Sequence, residues 1–439
     1  MKNWSLYKLY HDKGNVLVIG GGIAGIQAAL DLAEMGFSVD VVEKEPCIGG
    51  HMAQLDKTFP TNDCSICILS PKLSDCYRHE RINIHTLSQL TNLQRKDGFF
   101  IAKFLKKARY VKETECINCG LCVEKCPVKV EDKFDQELRM RKAIYLYFLQ
   151  GIPAVMAIDK EKCLYHKKGI CKICEKLCPK QAIAFNQEDT EFELTPNAII
   201  VATGFDQFDP SALTLYGYKK FKNVITGLEF ERLLSTSGPT LGHIERLSDK
   251  KTPKNIAFIQ CVGSRDVKHN PFCSSVCCMY STKQAILAYE HDSEVNTYIY
   301  YIDMRAGGKG FQKYIERAEK EYSVHYIKGI ISEIKIDENE NPILFYENLS
   351  TLEIKSQKVD LVVLATAMIP SDSTENLVKA AGLEQDNNKF IKTNFTNPLE
   401  TNIPGIYVCG CSHGPRDIPT SVIEASGAAA KAAEYIMKI

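Results

Sequence analysis

Two runs of cysteine carry the plainest chemistry in the sequence. Cys116, Cys119, Cys122 and Cys126 precede Pro127 in C-x2-C-x2-C-x3-C-P spacing, and Cys163, Cys171, Cys174 and Cys178 precede Pro179 with a longer first gap. Thiolates are soft ligands that suit iron–sulfur centres, and spacing this tight wraps backbone around a cluster. Two such runs form a two-cluster ferredoxin, in which the fourth Cys of each run ligates the other cluster. The expected sets are Cys116, Cys119, Cys122 and Cys178 on one [4Fe–4S] cluster, and Cys163, Cys171, Cys174 and Cys126 on the second. Paired C-x2-C runs also build zinc ribbons. Zinc, however, would use only four of these eight thiols and needs no trailing prolines.

A second chemistry sits near the amino terminus. Gly20, Gly22 and Gly25 have GxGxxG spacing, directly after the β-branched run Asn15–Ile19 and before a helical pattern from Ile26 to Met35 closed by Gly36. A second strand, Ser38 to Val42, ends at Glu43 and Lys44. Strand, glycine turn, helix, strand and acid in that order bind a dinucleotide. Gly20 permits the tight turn, Gly22 lets backbone approach the pyrophosphate, and Gly25 allows close helix–strand packing. The pyrophosphate would sit on the helix N-terminus, with Glu43 on the ribose hydroxyls. FAD is favoured over NAD by the rest of the chain. Gly49 and Gly50 resemble the flavin-contacting glycines of two-dinucleotide-domain flavoproteins. Ile199–Gly204, which contains Ala202, Thr203 and Gly204, reads as their later strand and turn. Ile403–Gly410 resembles their carboxy-terminal flavin strand, with Cys411 where an aspartate usually stands, and Pro419 and Thr420 open a helix that runs to Met437.

The elements that must position these residues follow from length and pattern. A chain of 439 residues calls for more than one core. Lys and Arg total 54, as do Asp and Glu, so bulk charge argues for neither nucleic acid nor an anionic membrane. No stretch reaches the roughly 18 uninterrupted apolar residues of a membrane span. The start, Met1 to Asn15, lacks the apolar core of a signal peptide, so the chain reads as cytoplasmic. In a reducing compartment, 18 cysteines in a large chain point to metal or redox chemistry rather than a disulfide framework.

A second Rossmann-like unit begins at the strand Asn255–Gln260, but its glycines are gone. Where GxGxxG should stand the chain reads Cys261, Val262, Gly263, Ser264, Arg265 and Asp266. Cys261, Cys273, Cys277 and Cys278 fall within 18 residues, the last two opening a helix through Tyr289. A third [4Fe–4S] cluster and a set of buried structural thiols both satisfy this spacing. On either reading NAD(P) loses its site, and electrons would arrive and leave through protein partners.

The order of these motifs resembles the A-type subunits of heterodisulfide reductase, the flavin-bearing family of an electron-bifurcating complex. The matching stretches are EKEPCIGGHMAQLDKTFPTNDCSICILSPK, the two ferredoxin runs, CVGSRD with CSSVCC, and CGCSHGPRDIPTS. The resemblance implies that Cys261, Cys273, Cys277 and Cys278 ligate a cluster beside the flavin, and that Lys283 lies near flavin N5. A solvated helix lysine is the alternative for Lys283. Glu231 matches a family acid more weakly. Longer family members carry further cluster domains before and after this core, so the chain reads as a short form.

The expected fold is α/β, with two Rossmann-like domains of the thioredoxin-reductase type and an inserted two-cluster ferredoxin. FAD-binding parts are expected at 1–112, 191–252 and 390–439, the insert at 113–190, and a pseudo-NAD(P) domain carrying a cluster at 253–389. The expected function is electron transfer between a protein donor, FAD and three clusters, with bifurcation, inside a heterodisulfide reductase-like complex. Its expected partners are the disulfide-reducing subunits, a hydrogenase or dehydrogenase donor, and ferredoxin, and a homodimer is compatible with the family. A non-bifurcating conduit for a quinone-linked or sulfur-metabolising complex is the alternative. Cys64 and Cys67, a C-x-x-C pair, are left between packing, a redox dithiol and ligation. The basic run Lys103 to Arg109 reads as a solvated strand or turn.

Overall fold

The computed structural model describes residues 13–96 and 99–438. Two compact units result, the first from the described residues of Met1–Ala53, Cys67–Phe205 and Pro370–Ile439, the second from Gln54–Ile66 and Asp206–Ile369. The first twelve residues of the expected flavin domain lie outside the described ones. No described helix is long and apolar enough to cross a membrane.

In the first unit the runs NVLVI, SVDVV and AIIV are almost wholly buried, the pattern of strands covered on both faces. They join a five-stranded sheet in the order Ile406–Val408, Ala198–Val201, Asn15–Ile19, Ser38–Val42, Ile82–His85, and every pairing is parallel. The glycine-turn helix spans Ile23–Glu34 and packs against the terminal helix Ile418–Ile436. The buried positions of both helices include small residues, Ala28 and Ala29 on one and Ala425, Ala428 and Ala432 on the other. That packing holds the glycine turn and the start of the terminal helix at one end of the sheet.

The cysteine-rich insert leaves and re-enters through neighbouring strands. Phe99–Lys106 and Thr190–Leu194 pair antiparallel with Lys106 opposite Thr190, so everything between them is a loop-out from one hairpin edge. A small core of Tyr110, Val111, Ile144, Met156, Ile158 and Ile183 closes the insert. Arg109 is not solvated, as its basic run suggests, but 2% exposed. Its guanidinium donates to Pro46 O at 2.7 Å, Thr86 Oγ1 at 2.6 Å and Val155 O at 3.4 Å, and pairs with Glu113 at 3.1 Å. A buried, fully bonded arginine thus bolts the insert to the loops after Ser38–Val42 and Ile82–His85.

The second unit has a seven-stranded sheet in the order Val224–Thr226, Leu361–Thr366, Asn255–Val262, Asn296–Tyr301, Val324–Ile336, Pro342–Asn348, Glu353–Lys358. The first five strands are parallel and the last two form an antiparallel meander. Its limits differ from those expected. Val224–Thr226 pairs with Leu361–Thr366, so 206–252 belongs to this unit rather than to the flavin domain. Residues 370–389 return to the first unit, whose core takes Leu377 and Leu383. The segment 54–66 also joins the second unit, because its backbone is hydrogen-bonded there: Arg232 donates to Gln54 O at 2.9 Å and Lys283 to Lys57 O at 2.7 Å.

Candidate functional site

The glycine turn has the geometry of a dinucleotide cradle. Gly20 has φ +111°, and a Cβ there would lie 2.2 Å from Ala202 O; at Gly25 it would lie 1.9 Å from Gly20 O. Gly22, the N-cap of the helix, faces open space within 4 Å, so backbone is bare where a phosphate would approach. Gly50 (φ +58°) lies against it, since its own Cβ would come within 2.9 Å of Gly22 Cα, and Gly49 N–H donates to Gly21 O at 2.7 Å.

Glu43 is buried, and its carboxylate accepts from Gly21 N at 2.8 Å and Glu45 N at 2.9 Å. Burial raises its pKa against those two hydrogen bonds. Lys44 is half-buried beside it. Ala202 directly follows the strand Ala198–Val201 and is buried. Thr203 Oγ1 is 3.0 Å from Thr374 Oγ1 and 3.2 Å from Ser412 Oγ, which also accepts from Gly204 N at 3.3 Å.

Sequence reasoning missed the supports of the second flavin-side loop. Gly410 N–H donates to Glu424 Oε2 at 3.0 Å, and His413 (2.9 Å) and Arg416 (2.6 Å) hold the same carboxylate. Burial pushes Glu424 up, but the bonds from His413 and Arg416 outweigh it and hold the carboxyl below its usual range. Asp417 caps the terminal helix by accepting from Thr420 N at 2.8 Å, with Pro419 in the first turn. The turn, the bare N-terminus and this braced loop fit a dinucleotide cofactor.

The insert gathers its cysteines into two quartets. One cavity is lined by Cys116, Cys119, Cys122 and Cys178, the other by Cys126, Cys163, Cys171 and Cys174. Each takes its fourth thiol from the other run, which is the crossed pairing expected of a two-cluster ferredoxin. Each quartet surrounds space instead of closing on a point, and among the described residues no group of His, Cys, Asp or Glu is set for a single metal ion. Burial raises the thiols of Cys122 to about 11 and Cys174 to about 12, so ligation here displaces protons.

In the second unit Cys261, Cys273, Cys277 and Cys278 come together. Burial raises Cys277, and the nearby thiols of Cys261, Cys278 and Cys273 raise it further. Burial lifts Cys261 to about 11, and Cys278 and Cys273 add to the rise. Cys261 adopts φ +61°, a left-handed conformation unusual for a non-glycine residue. Backbone donors already point at two sulfurs: Arg305 N at 3.4 Å from Cys278 Sγ and Ser275 N at 3.3 Å from Cys273 Sγ. The remaining Gly263 is packed against Phe208, whose ring would lie 2.3 Å from an added Cβ. Side chains therefore fill the turn that would otherwise cradle a pyrophosphate.

Lys283 is not a solvated helix lysine. It is 1% exposed, pairs with Glu231 at 2.6 Å and donates to Lys57 O. Glu231 also accepts from Gln284 Nε2 at 2.7 Å and Asp56 N at 3.0 Å. Asp56 is pushed up to about 6, by burial first and then by the Glu231 charge. Glu231 is a weak match in sequence, and its spacing from Lys283 gives no sign that the two form a pair. Cys64 and Cys67 are joined in a disulfide at the start of the helix Ser65–Arg78.

The doubly wound flavin half, the glycine cradle and the paired cysteine quartets define an oxidoreductase of the FAD and iron–sulfur class. Residues 15–63 match the FAD dependent oxidoreductase family and residues 115–182 the 4Fe-4S dicluster domain. The chain is homologous over nearly its whole length to A-type subunits of heterodisulfide reductase. The second iron-sulfur A-type subunit of the CoB–CoM heterodisulfide reductase of Methanopyrus kandleri is 48% identical over 421 residues, covering 95% of this chain and 63% of that protein. The A-type subunit of the H2:CoB–CoM heterodisulfide,ferredoxin reductase of Methanothermobacter thermautotrophicus is 43% identical, covering 96% and 64%. The chain thus spans a little under two thirds of the length of these relatives. Thioredoxin reductase of Lactococcus lactis shares the fold, with a TM-score of 0.54 at 14% identity over 97% of this chain and all of that one.

Proposed function

We propose that the chain is an electron-transfer component of a heterodisulfide reductase-like complex, with one FAD and three [4Fe–4S] clusters. FAD exchanges electrons in pairs and iron–sulfur clusters exchange them singly, which is the chemistry these groups supply when bound. The observation that carries the reading is the pair of four-cysteine cavities inserted into the same unit as the glycine cradle. The third cluster falls to Cys261, Cys273, Cys277 and Cys278, supported by their convergence and by the two backbone N–H groups aimed at sulfur.

The chain's own residues would do the following. Gly22 and the helix behind it bind pyrophosphate, and Glu43 orients the glycine turn. Glu424, held by His413 and Arg416, fixes the loop at Gly410. The family resemblance gives Lys283 the role of a cation that favours the reduced, anionic cofactor, and Glu231 holds its proton and position. Partners in this reading are the disulfide-reducing subunits, a hydrogenase or dehydrogenase donor, and ferredoxin. The relatives' own names put hydrogen, ferredoxin and the CoB–CoM heterodisulfide among what those proteins act on.

The test is anaerobic redox titration of the purified holoprotein. Strongly crossed first and second flavin potentials are expected, as electron bifurcation requires, and NADH and NADPH are expected to leave the flavin oxidised. Uncrossed potentials would make the chain a simple conduit. Rapid bleaching by NADPH would replace the reading with a pyridine-nucleotide enzyme.

A further inference from the structure

The insert is electrically lopsided, although Lys and Arg balance Asp and Glu at 54 each over the chain. From Lys160 to Lys180 there are seven lysines against two glutamates, a net charge of +5 in 21 residues. All seven lysines are exposed. Among the described residues only Lys172 of the seven has a carboxylate partner, Glu175 at 3.4 Å. The first cysteine run has the opposite balance, with four glutamates against two lysines over residues 113–131. The longer first gap of the second run contributes two of the seven lysines. Between Cys163 and Cys171 it forms a short helix, Leu164–Lys168, capped by Gly169 at φ +71°, and this turn displays Lys167 and Lys168.

The same stretch exposes apolar side chains. Ile170 is 68% exposed, Ile173 40% and Leu177 43%, and Ile173 also lines the cavity of Cys126, Cys163, Cys171 and Cys174. An apolar centre with a charged rim, beside a redox site, suits brief protein docking. A bare phosphate-binding surface would have no use for the isoleucines.

We infer that this face docks a small acidic electron-carrier protein, one with carboxylates around its own redox centre. The inference rests on the cluster reading of the second quartet. A cluster held by Cys126, Cys163, Cys171 and Cys174 would take up the one electron that the reduced carrier gives up, with no bond made or broken and no proton moved. The lysines steer the encounter, so the effect is greatest at low salt, where charges act beyond about 10 Å.

The test uses the full chain, prepared without oxygen and assayed for iron, with an acidic plant-type ferredoxin as probe. Calorimetric affinity for the oxidised probe and stopped-flow reduction by the reduced probe are compared between wild type and Lys167→Glu/Lys168→Glu/Lys176→Glu. The triple variant is expected to bind at least tenfold more weakly at low salt and to be slowed to a similar degree. The two proteins should converge at 0.5 M salt with equal iron. Glu124→Lys, on the acidic side, should leave both readouts at low salt within twofold of wild type. The triple variant with Gln in place of Glu should fall between the extremes, which separates steering from misfolding. Equal affinity and rate at full iron would overturn the docking surface alone. Loss of binding to DNA or anionic vesicles without loss of carrier binding would also overturn it. Wild-type protein lacking iron in the insert would overturn the cluster reading and the proposal together.

Discussion

Replacing Gly22 by alanine is expected to leave the chain folded and strip it of FAD. The residue has φ −78° and ψ −178°, an extended conformation that alanine adopts freely, and an added methyl meets no protein atom within 4 Å. What the methyl does occupy is the bare space at the helix N-terminus. Affinity for FAD should fall on the order of 100-fold, about 3 kcal/mol, while the melting temperature of the apoprotein stays within a degree or two of wild type. Gly25→Ala makes the contrasting case. Its methyl would lie 1.9 Å from Gly20 O, so the helix must move off the strand and both stability and FAD are lost. Differential scanning fluorimetry with and without added FAD separates the two. Gly22→Ala protein that keeps a full complement of flavin would mean that the cofactor does not approach this turn.

Removing one member of the Lys283–Glu231 pair should cost the second unit far more than removing both charges. The two side chains are each 2% exposed and 2.6 Å apart, so Lys283→Met strands a buried carboxylate. A loss of about 3–5 kcal/mol is expected for the single variant. Lys283→Met with Glu231→Gln removes both charges and keeps an amide oxygen for Asp56 N, which reaches Oε2 of the glutamate, and should recover at least about 2 kcal/mol, read as a coupling energy in a double-mutant cycle. The same variants address function. Loss of the cation should lower the flavin potential even in the restored double variant, which a purely structural role would not do.

Asp56 adds a pH signature to this pair. Its carboxyl is raised from 3.8 to about 6, so the folded chain binds that proton more tightly than the unfolded chain. The penalty is absent well below pH 4, grows as pH rises, and is complete above about pH 6. Asp56→Asn should therefore stabilise the protein by about 1 kcal/mol at pH 7.5, allowing for partial exposure, and change little at pH 4.

The parts of the site that could be read from sequence are those whose geometry is local. The cysteine spacing wraps one cluster-sized cavity per run, and the crossed fourth ligand follows from the two-fold repeat, so both quartets are legible without the fold. The glycine turn is legible for the same reason: Gly20, Gly22 and Gly25 act within six residues of one another. What escapes depends on long-range contacts. Arg109 sits in a basic run that looks solvated, yet it is bonded to Pro46 and Thr86, 63 and 23 residues away. Glu231 and Lys283 meet across 52 residues, and the acid of the Gly410 loop, Glu424, lies on a helix whose pattern marks it only as polar. The segment 54–66 carries no hydrophobic period that could assign it to the second unit. Hydrogen bonds from Arg232 and Lys283 to its carbonyls do so instead.

Whether Cys261, Cys273, Cys277 and Cys278 hold a cluster decides between three clusters and two. Iron, acid-labile sulfide and flavin should be measured on protein purified without oxygen, wild type beside Cys277→Ser. About twelve iron per FAD, falling to about eight in the variant, is the expected result, since each cubane contributes four. About eight iron in both proteins would leave only the insert's clusters. It would also reduce the second unit's thiols to packing and contradict the three-cluster account.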